Sequence, residues 1–131
     1  MTRLLDLPEK LAIEISHEAD QRGESWEEAT VELLDEALRM RRIPGIGFTD
    51  GPAGRRATLV GSLDVWEIVA AWLAANRDFE LLRQDFPWLT EAQLRSALDY
   101  FEAYPEEIRE RLEREEGWDL ESIRRELVSC G

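Results

Sequence analysis

Apolar residues recur at intervals of three and four positions through the middle of the chain, between Gly61 and Tyr104. This spacing places them along one side of a helix, so it predicts two amphipathic helices with polar residues on the opposite side. The apolar positions are Val65, Ile68, Val69, Trp72 and Leu73 in the first helix and Leu94, Ala97, Leu98 and Phe101 in the second.

Short polar residues mark the start of each of these helices. Asp64 stands three residues before Glu67, and Thr90 stands three residues before Gln93. Both pairs are typical of the capping box, in which two side chains accept backbone N–H groups that the helix leaves unpaired. Between the two helices, a short helical run from Phe79 to about Asp85 must stop at the proline that follows it. Two longer helices around a short one form a helix-turn-helix-like arrangement.

The N-terminal part of the chain has a different pattern. Thr2–Leu7 is predicted to be a short strand that ends at Pro8, where a first helix begins. Gly23 is suited to the C-terminal cap of that helix, and Ser25 with Glu28 forms a capping box for a second one. The apolar positions expected to face inward are Leu11, Ile15 and Ala19 in the first helix and Ala29, Leu33, Leu34, Ala37 and Leu38 in the second.

A single strand with two helices cannot form a sheet, and about forty residues bury too little surface to fold alone. The simplest solution is a homodimer in which the strands of two copies pair antiparallel. The order of elements over Thr2–Arg42 resembles the ribbon-helix-helix proteins, whose paired strands enter the major groove of DNA. Alternation then points Leu5 and Leu7 inward. The residues that would face DNA are Thr2, Leu4 and Asp6.

The charge distribution gives arguments both against and for DNA binding by this protein. The net charge is −13, and only residues 44–62 have a positive balance, of +1. Leu4 and Asp6 suit a DNA groove poorly, because phosphates repel the aspartate, so the N-terminal strand could serve dimerisation alone. Guanidinium groups around the first joint suit phosphate, or they pair with nearby acids and stabilise a helix end. These residues are Arg39, Arg41 and Arg42, followed by Arg55 and Arg56 in an expected turn.

Two short apolar runs, Ile46–Phe48 and Ala57–Val60, flank a loop rich in glycine, proline and aspartate, which predicts a small β-hairpin. From here to about residue 107 a set of residues forms a combined motif: Pro44-Gly45-Ile46, Gly61-Ser62, Val65-Trp66, Ile68, Pro87, Leu89-Thr90, Leu94, Ala97-Leu98 and Tyr100. With these residues the chain is similar to the bacterial family called domain of unknown function 433, found in VapB-type antitoxins.

The resemblance implies a fold and a function. The fold would be mainly α, with a ribbon-helix-helix-like dimerisation arm (1–43), a hairpin plus a winged-helix-like or helix-turn-helix-like domain (44–104) and a helical tail (105–131). The function would be that of an antitoxin, which binds a PIN-like ribonuclease toxin and represses its own operon by binding operator DNA. One departure concerns Ser62-Leu63-Asp64, which is shorter and acidic where the family carries a basic residue and a proline.

The C-terminal part is predicted to contain a charged helix from Pro105 to Gly117 and then a short terminal helix. A helix that short must dock on something. It either packs on its own domain or dimer mate, or it binds the toxin, with an apolar stripe in a groove and an arginine near the acidic nuclease site. The residues expected to bind the toxin are Trp118, Leu120, Ile123, Arg124, Arg125 and Leu127.

The sequence favours a non-enzymatic, cytoplasmic protein without a cofactor, a metal or a membrane span. His17 is the only histidine and has no second histidine or cysteine as a co-ligand, so a solvated surface residue is expected. Cys130 cannot form an internal disulfide, which fits a reducing compartment. Besides the antitoxin, two interpretations stay open. The protein could be a stand-alone dimeric transcriptional repressor or a helical adaptor that does not bind DNA.

Overall fold

A computed structural model describes residues 3–52 and 54–116. These residues are mainly helical and include a small two-stranded antiparallel hairpin. By its contacts the chain divides into an N-terminal unit, Met1–Arg39, and a C-terminal unit, Met40–Gly131. The elements in chain order are α1 (Glu9–Arg22), α2 (Trp26–Arg42), β1 (Ile46–Gly51), β2 (Gly54–Leu59), α3 (Val65–Ala74), α4 (Phe79–Asp85), α5 (Glu91–Ala103) and α6 (Pro105–Glu116).

The capping signals act as the sequence predicts. The Thr90 backbone N–H donates to the Gln93 side chain at 2.8 Å, and the Gln93 N–H donates to the Thr90 hydroxyl at 3.1 Å. Before α3, the Asp64 N–H donates to the Glu67 carboxylate at 2.9 Å. Each bond satisfies a donor that the first helical turn would otherwise leave without a partner. The three predicted helices between Gly61 and Tyr104 are therefore confirmed.

The N-terminal unit consists of α1 and α2 with an extended segment before them. Gly23 ends α1 with φ +66°, a left-handed conformation that favours glycine, as the sequence predicts. A small core joins the two helices, and the Trp26 indole N–H donates to the Ala12 carbonyl at 3.2 Å. The buried residues of this core are Ile15, Ala19 and Ala29, with Leu7, Trp26 and Leu33 packed against them.

Several apolar residues of the N-terminal unit are exposed although the sequence pattern predicts them to face inward. Leu34 and Leu38 are exposed on α2, as is Ala37 between them. Two helices can cover only one side of each other, so α1 leaves part of the wider apolar surface of α2 uncovered. Residues 3–7 have no regular secondary structure in the described chain, and Leu5 is exposed. The strand predicted for this segment needs a second copy and stays a prediction.

The C-terminal unit has a complete core. β1 pairs with β2 from Ile46 opposite Leu59 to Gly51 opposite Gly54, so the hairpin is confirmed and is longer than its apolar runs. Its inner face packs against α3 and α5. The fully buried side chains include Tyr100, Leu59, Ile68, Leu82, Leu94, Leu112, Val65 and Val69.

Helix α6 belongs to the C-terminal unit, because its residues Ile108 and Leu112 are buried in the same core. Tyr100 links α5 to α6, since its hydroxyl donates to the Glu107 carboxylate while its ring lies edge-on to Phe48 at 6.2 Å. Within the described part of the chain, the helices are too short or too polar to cross a bilayer.

Candidate functional site

The two arginines of the hairpin lie on strand β2, and not in a turn as the sequence suggested, because the strand begins at Gly54. Both are paired with acids. Arg55 Nη1 lies 3.2 Å from Asp50 Oδ2, and Arg56 Nε lies 2.7 Å from Asp64 Oδ2. The same Asp64 oxygen accepts the indole N–H of Trp66 at 3.0 Å. Each arginine side chain is 28% exposed, so a phosphate could reach it only in competition with these carboxylates.

Strand β2 and helix α6 enclose a small hollow with a volume of about 80 Å³. Four guanidinium groups and two carboxylates line it, so its charge is mixed, and Trp66 forms part of its wall. Arg111 also pairs with Glu115 at 2.9 Å. The charged residues of the hollow are Arg55, Arg56, Arg111, Arg114, Glu107 and Glu110.

The structure therefore groups Arg55 and Arg56 as predicted and adds two arginines of α6 that sequence reasoning missed. No local sequence pattern places Arg111 and Arg114 in this hollow, because they come close to the hairpin only through the packing of α6.

The remaining residues predicted to contact DNA are dispersed. Arg39 Nε lies 3.0 Å from Asp35, one helical turn away on α2. The Arg42 guanidinium lies 6.0 Å from the centre of the Tyr104 ring, and Arg41 is exposed. The other predicted contacts are Leu4 and Asp6, which are exposed, and Thr2, which lies outside the described residues.

An apolar groove with a volume of about 370 Å³ crosses the N-terminal unit. Its floor is the small core between α1 and α2, and two carboxylates, Glu14 and Glu18, lie on its rim. An open apolar groove of this kind is unusual on an isolated small unit, because its side chains lose free energy by contact with water. Its apolar residues are Leu5, Leu7, Leu11, Ile15, Leu33 and Leu34.

Acidic residues cluster around Arg22 near the end of α1. Its Nη2 donates to Glu32 at 3.0 Å, and its Nε lies 3.6 Å from Glu24. Burial raises the pKa of the Glu32 carboxyl, and its hydrogen bond and charge contact with Glu24 raise it further, against the opposing effect of Arg22. The two carboxyl groups thus share one arginine, and protonation of Glu32 relieves the repulsion between them.

The other candidates add no chemistry to this picture. His17 is exposed on α1. Among the described residues, no three His, Cys, Asp or Glu side chains come together as a metal site would require. The residues predicted to bind the toxin, Trp118, Leu120, Ile123, Arg124, Arg125 and Leu127, lie outside the described residues, as does Cys130.

Taken together, the structure defines a mainly helical protein with a small antiparallel hairpin, an apolar groove and a mixed-charge hollow. Comparison of the chain with models of known protein families, with curated proteins and with solved structures gives no match. The resemblance to VapB-type antitoxins therefore rests on the residues quoted for it and stays a prediction.

Proposed function

We propose that the protein is the antitoxin of a type II toxin–antitoxin pair. It forms a homodimer through its N-terminal unit, binds a PIN-like ribonuclease toxin and represses its own operon. A protein with this role works in the cytoplasm, beside the nuclease and the DNA.

The observation that carries the proposal is the apolar groove of the N-terminal unit. Leu5 and Leu34 are both exposed along it, although each costs free energy in water. A second copy with the same groove would cover these side chains and give the extended segment before α1 a strand to pair with. This is the arrangement expected from the order of extended segment, helix and helix.

The C-terminal unit supports the second half of the proposal less directly. Over residues 44–104, its order of a hairpin followed by three helices supports the fold expected from the antitoxin resemblance. The toxin would be bound by the segment after α6, beginning at Trp118. The decisive experiment is co-expression with the product of the open reading frame beside this gene, which the proposal requires to be a small nuclease. We expect the two proteins to co-purify and the complex to lack ribonuclease activity. Separate elution of two proteins, with the nuclease fully active, would refute the antitoxin role.

The DNA-binding part of the proposal rests on the hairpin arginines and can be tested in two directions. Arg55→Ala with Arg56→Ala should weaken binding of the operator and leave the dimer intact. Asp64→Asn should strengthen it by a few fold, because the amide still caps α3 but no longer neutralises Arg56. Gel shifts at matched salt measure both effects. Equal affinity of all three proteins would exclude the arginines from DNA binding.

One observation favours a second candidate, a dimeric adaptor that does not bind DNA. Arg39, Arg55 and Arg56 each lie within ion-pair distance of an acid, so a phosphate would have to displace a carboxylate at each site. The two candidates differ in salt dependence, since operator affinity must fall as salt rises. A stand-alone repressor would share that salt dependence but would bind no nuclease.

A further inference from the structure

Trp88 stands out on the surface of the C-terminal unit. It lies in the turn between α4 and α5 and is 65% exposed, whereas Trp66 and Trp72 pack against the core. Its ring is held edge-on against Phe86, with ring centroids 5.6 Å apart and an angle of 74° between the planes. Phe86 itself packs on the core, so the exposed indole is held in place by its neighbour. Leu81 on α4 is also exposed.

The surface around Trp88 is acidic. Residues 78–93, which contain α4, the turn and the start of α5, have a net charge of −3, and the flanking Arg77 and Arg95 reduce it to −1 over residues 77–95. The two arginines nearest to the turn are already paired, Arg83 with Glu80 at 3.4 Å and Arg95 with Glu91 at 2.9 Å. Beside the turn lies an open hollow of about 380 Å³, lined by polar residues of α4 together with Pro87 and Leu89.

We propose that this Trp88 surface, defined as residues 78–93, binds a basic, apolar-anchored segment of a protein partner. A partly exposed tryptophan held by a neighbouring ring is the residue type that most often anchors protein interfaces, because its large apolar area becomes buried at little entropic cost. The negative charge around it attracts lysine and arginine and fixes the orientation of the partner.

The same charge argues against two other occupants. In a helix-turn-helix, the turn and the following helix approach the DNA backbone, and the net negative charge there would repel phosphate. A second copy of this surface would bring two acidic segments together, which is also unfavourable. The charge of this surface therefore favours a protein-binding role for the C-terminal unit over the DNA-binding role that its helix order suggests.

The proposal rests on the proposed function only in the choice of the toxin as one partner, so the test uses two probes. The full chain is labelled with 5-fluorotryptophan, and the Trp88 fluorine resonance is assigned with Trp88→Phe. The first probe is the purified product of the neighbouring open reading frame, which the proposed function requires to be a small nuclease. The second is a synthetic amphipathic helix of leucine and lysine, with a leucine–glutamate helix of the same length as its control. Duplex DNA is titrated separately.

We expect at least one probe to shift the Trp88 resonance, and Trp88→Ala to raise its Kd at least tenfold. Val60→Ala is the matched control, because Val60 is 64% exposed on the hairpin of the same unit, and it should change the Kd less than twofold. Asp85→Lys provides an independent variant that keeps the indole and should weaken binding of the lysine helix. Thermal unfolding of each variant checks that the fold is retained.

The outcomes separate the surface from the antitoxin role. If the lysine helix binds in a Trp88-dependent manner and the nuclease does not bind, the surface stands and the antitoxin role fails. If the nuclease binds and neither probe depends on Trp88, the surface is refuted and the antitoxin role stands. A Trp88 resonance that moves with duplex DNA would also refute the proposal. So would one that moves in the free protein on Trp118→Ala, since the chain's own C-terminal segment would then be the occupant.

Discussion

The proposed dimer can be tested most sharply at Leu34, which lies in the apolar groove and is 53% exposed in the single chain. Complete burial of a leucine side chain is worth roughly 1.5–3 kcal/mol, so covering the exposed half of Leu34 contributes about 1 kcal/mol in each copy. A symmetric dimer contains this contact twice, and Leu34→Ala therefore costs about 2 kcal/mol of association free energy. That corresponds to an increase in the dimer Kd of about 30-fold.

Sedimentation equilibrium over a range of protein concentrations measures this Kd directly. Leu81→Ala is the matched control, because Leu81 is 46% exposed on α4 and belongs to the other unit. It should leave the dimer unchanged. If the wild-type protein is monomeric at every concentration, or if Leu34→Ala changes the Kd less than twofold, the groove is not the dimer interface and the reasoning is wrong.

Three further predictions concern stability and toxin binding. Tyr100→Phe should lower the free energy of unfolding by about 1 kcal/mol, seen as a lower Tm, because it removes the bond to Glu107 but keeps the buried ring. The pKa of Glu32 is raised in the folded protein. The contribution of Glu32 to the free energy of unfolding is therefore complete at acid pH and is lost as the pH rises through that pKa. Glu32→Gln should abolish this loss in urea unfolding curves recorded across the acid range, and an unchanged pH dependence would assign it to other groups. Deleting Trp118–Gly131 should leave a folded dimer that inhibits the nuclease poorly, and full inhibition in a ribonuclease assay would exclude the tail from toxin binding.

The helices could be predicted well from the sequence because their signals are local. Thr90 with Gln93, Asp64 with Glu67 and Gly23 each satisfy a backbone need within one helical turn, so a few residues suffice to place a helix end. The hairpin was recognisable for the same reason, since its two apolar runs flank residues suited to a tight turn.

What the sequence could not reveal depends on contacts between distant residues. Periodicity shows that Leu34 shares a side with other apolar residues of α2, but it does not show what covers that side. The pairing of Arg56 with Asp64 depends on the bend between β2 and α3. Trp88 is a large apolar residue of the kind usually found in a core, and only the path of the turn after α4 leaves it exposed.

The imbalance between the two cores has a consequence for the life of the protein in the cell. Among the described residues, fourteen are buried in the core of the C-terminal unit but only three, Ile15, Ala19 and Ala29, in that of the N-terminal unit. If a second copy completes the smaller core, dilution alone should loosen it, because association adds stability by mass action. We therefore expect proteases to cleave the first forty residues when the protein is scarce and to spare them when it is abundant. Limited proteolysis across a dilution series would show this. The lifetime of the protein would then depend on its own concentration.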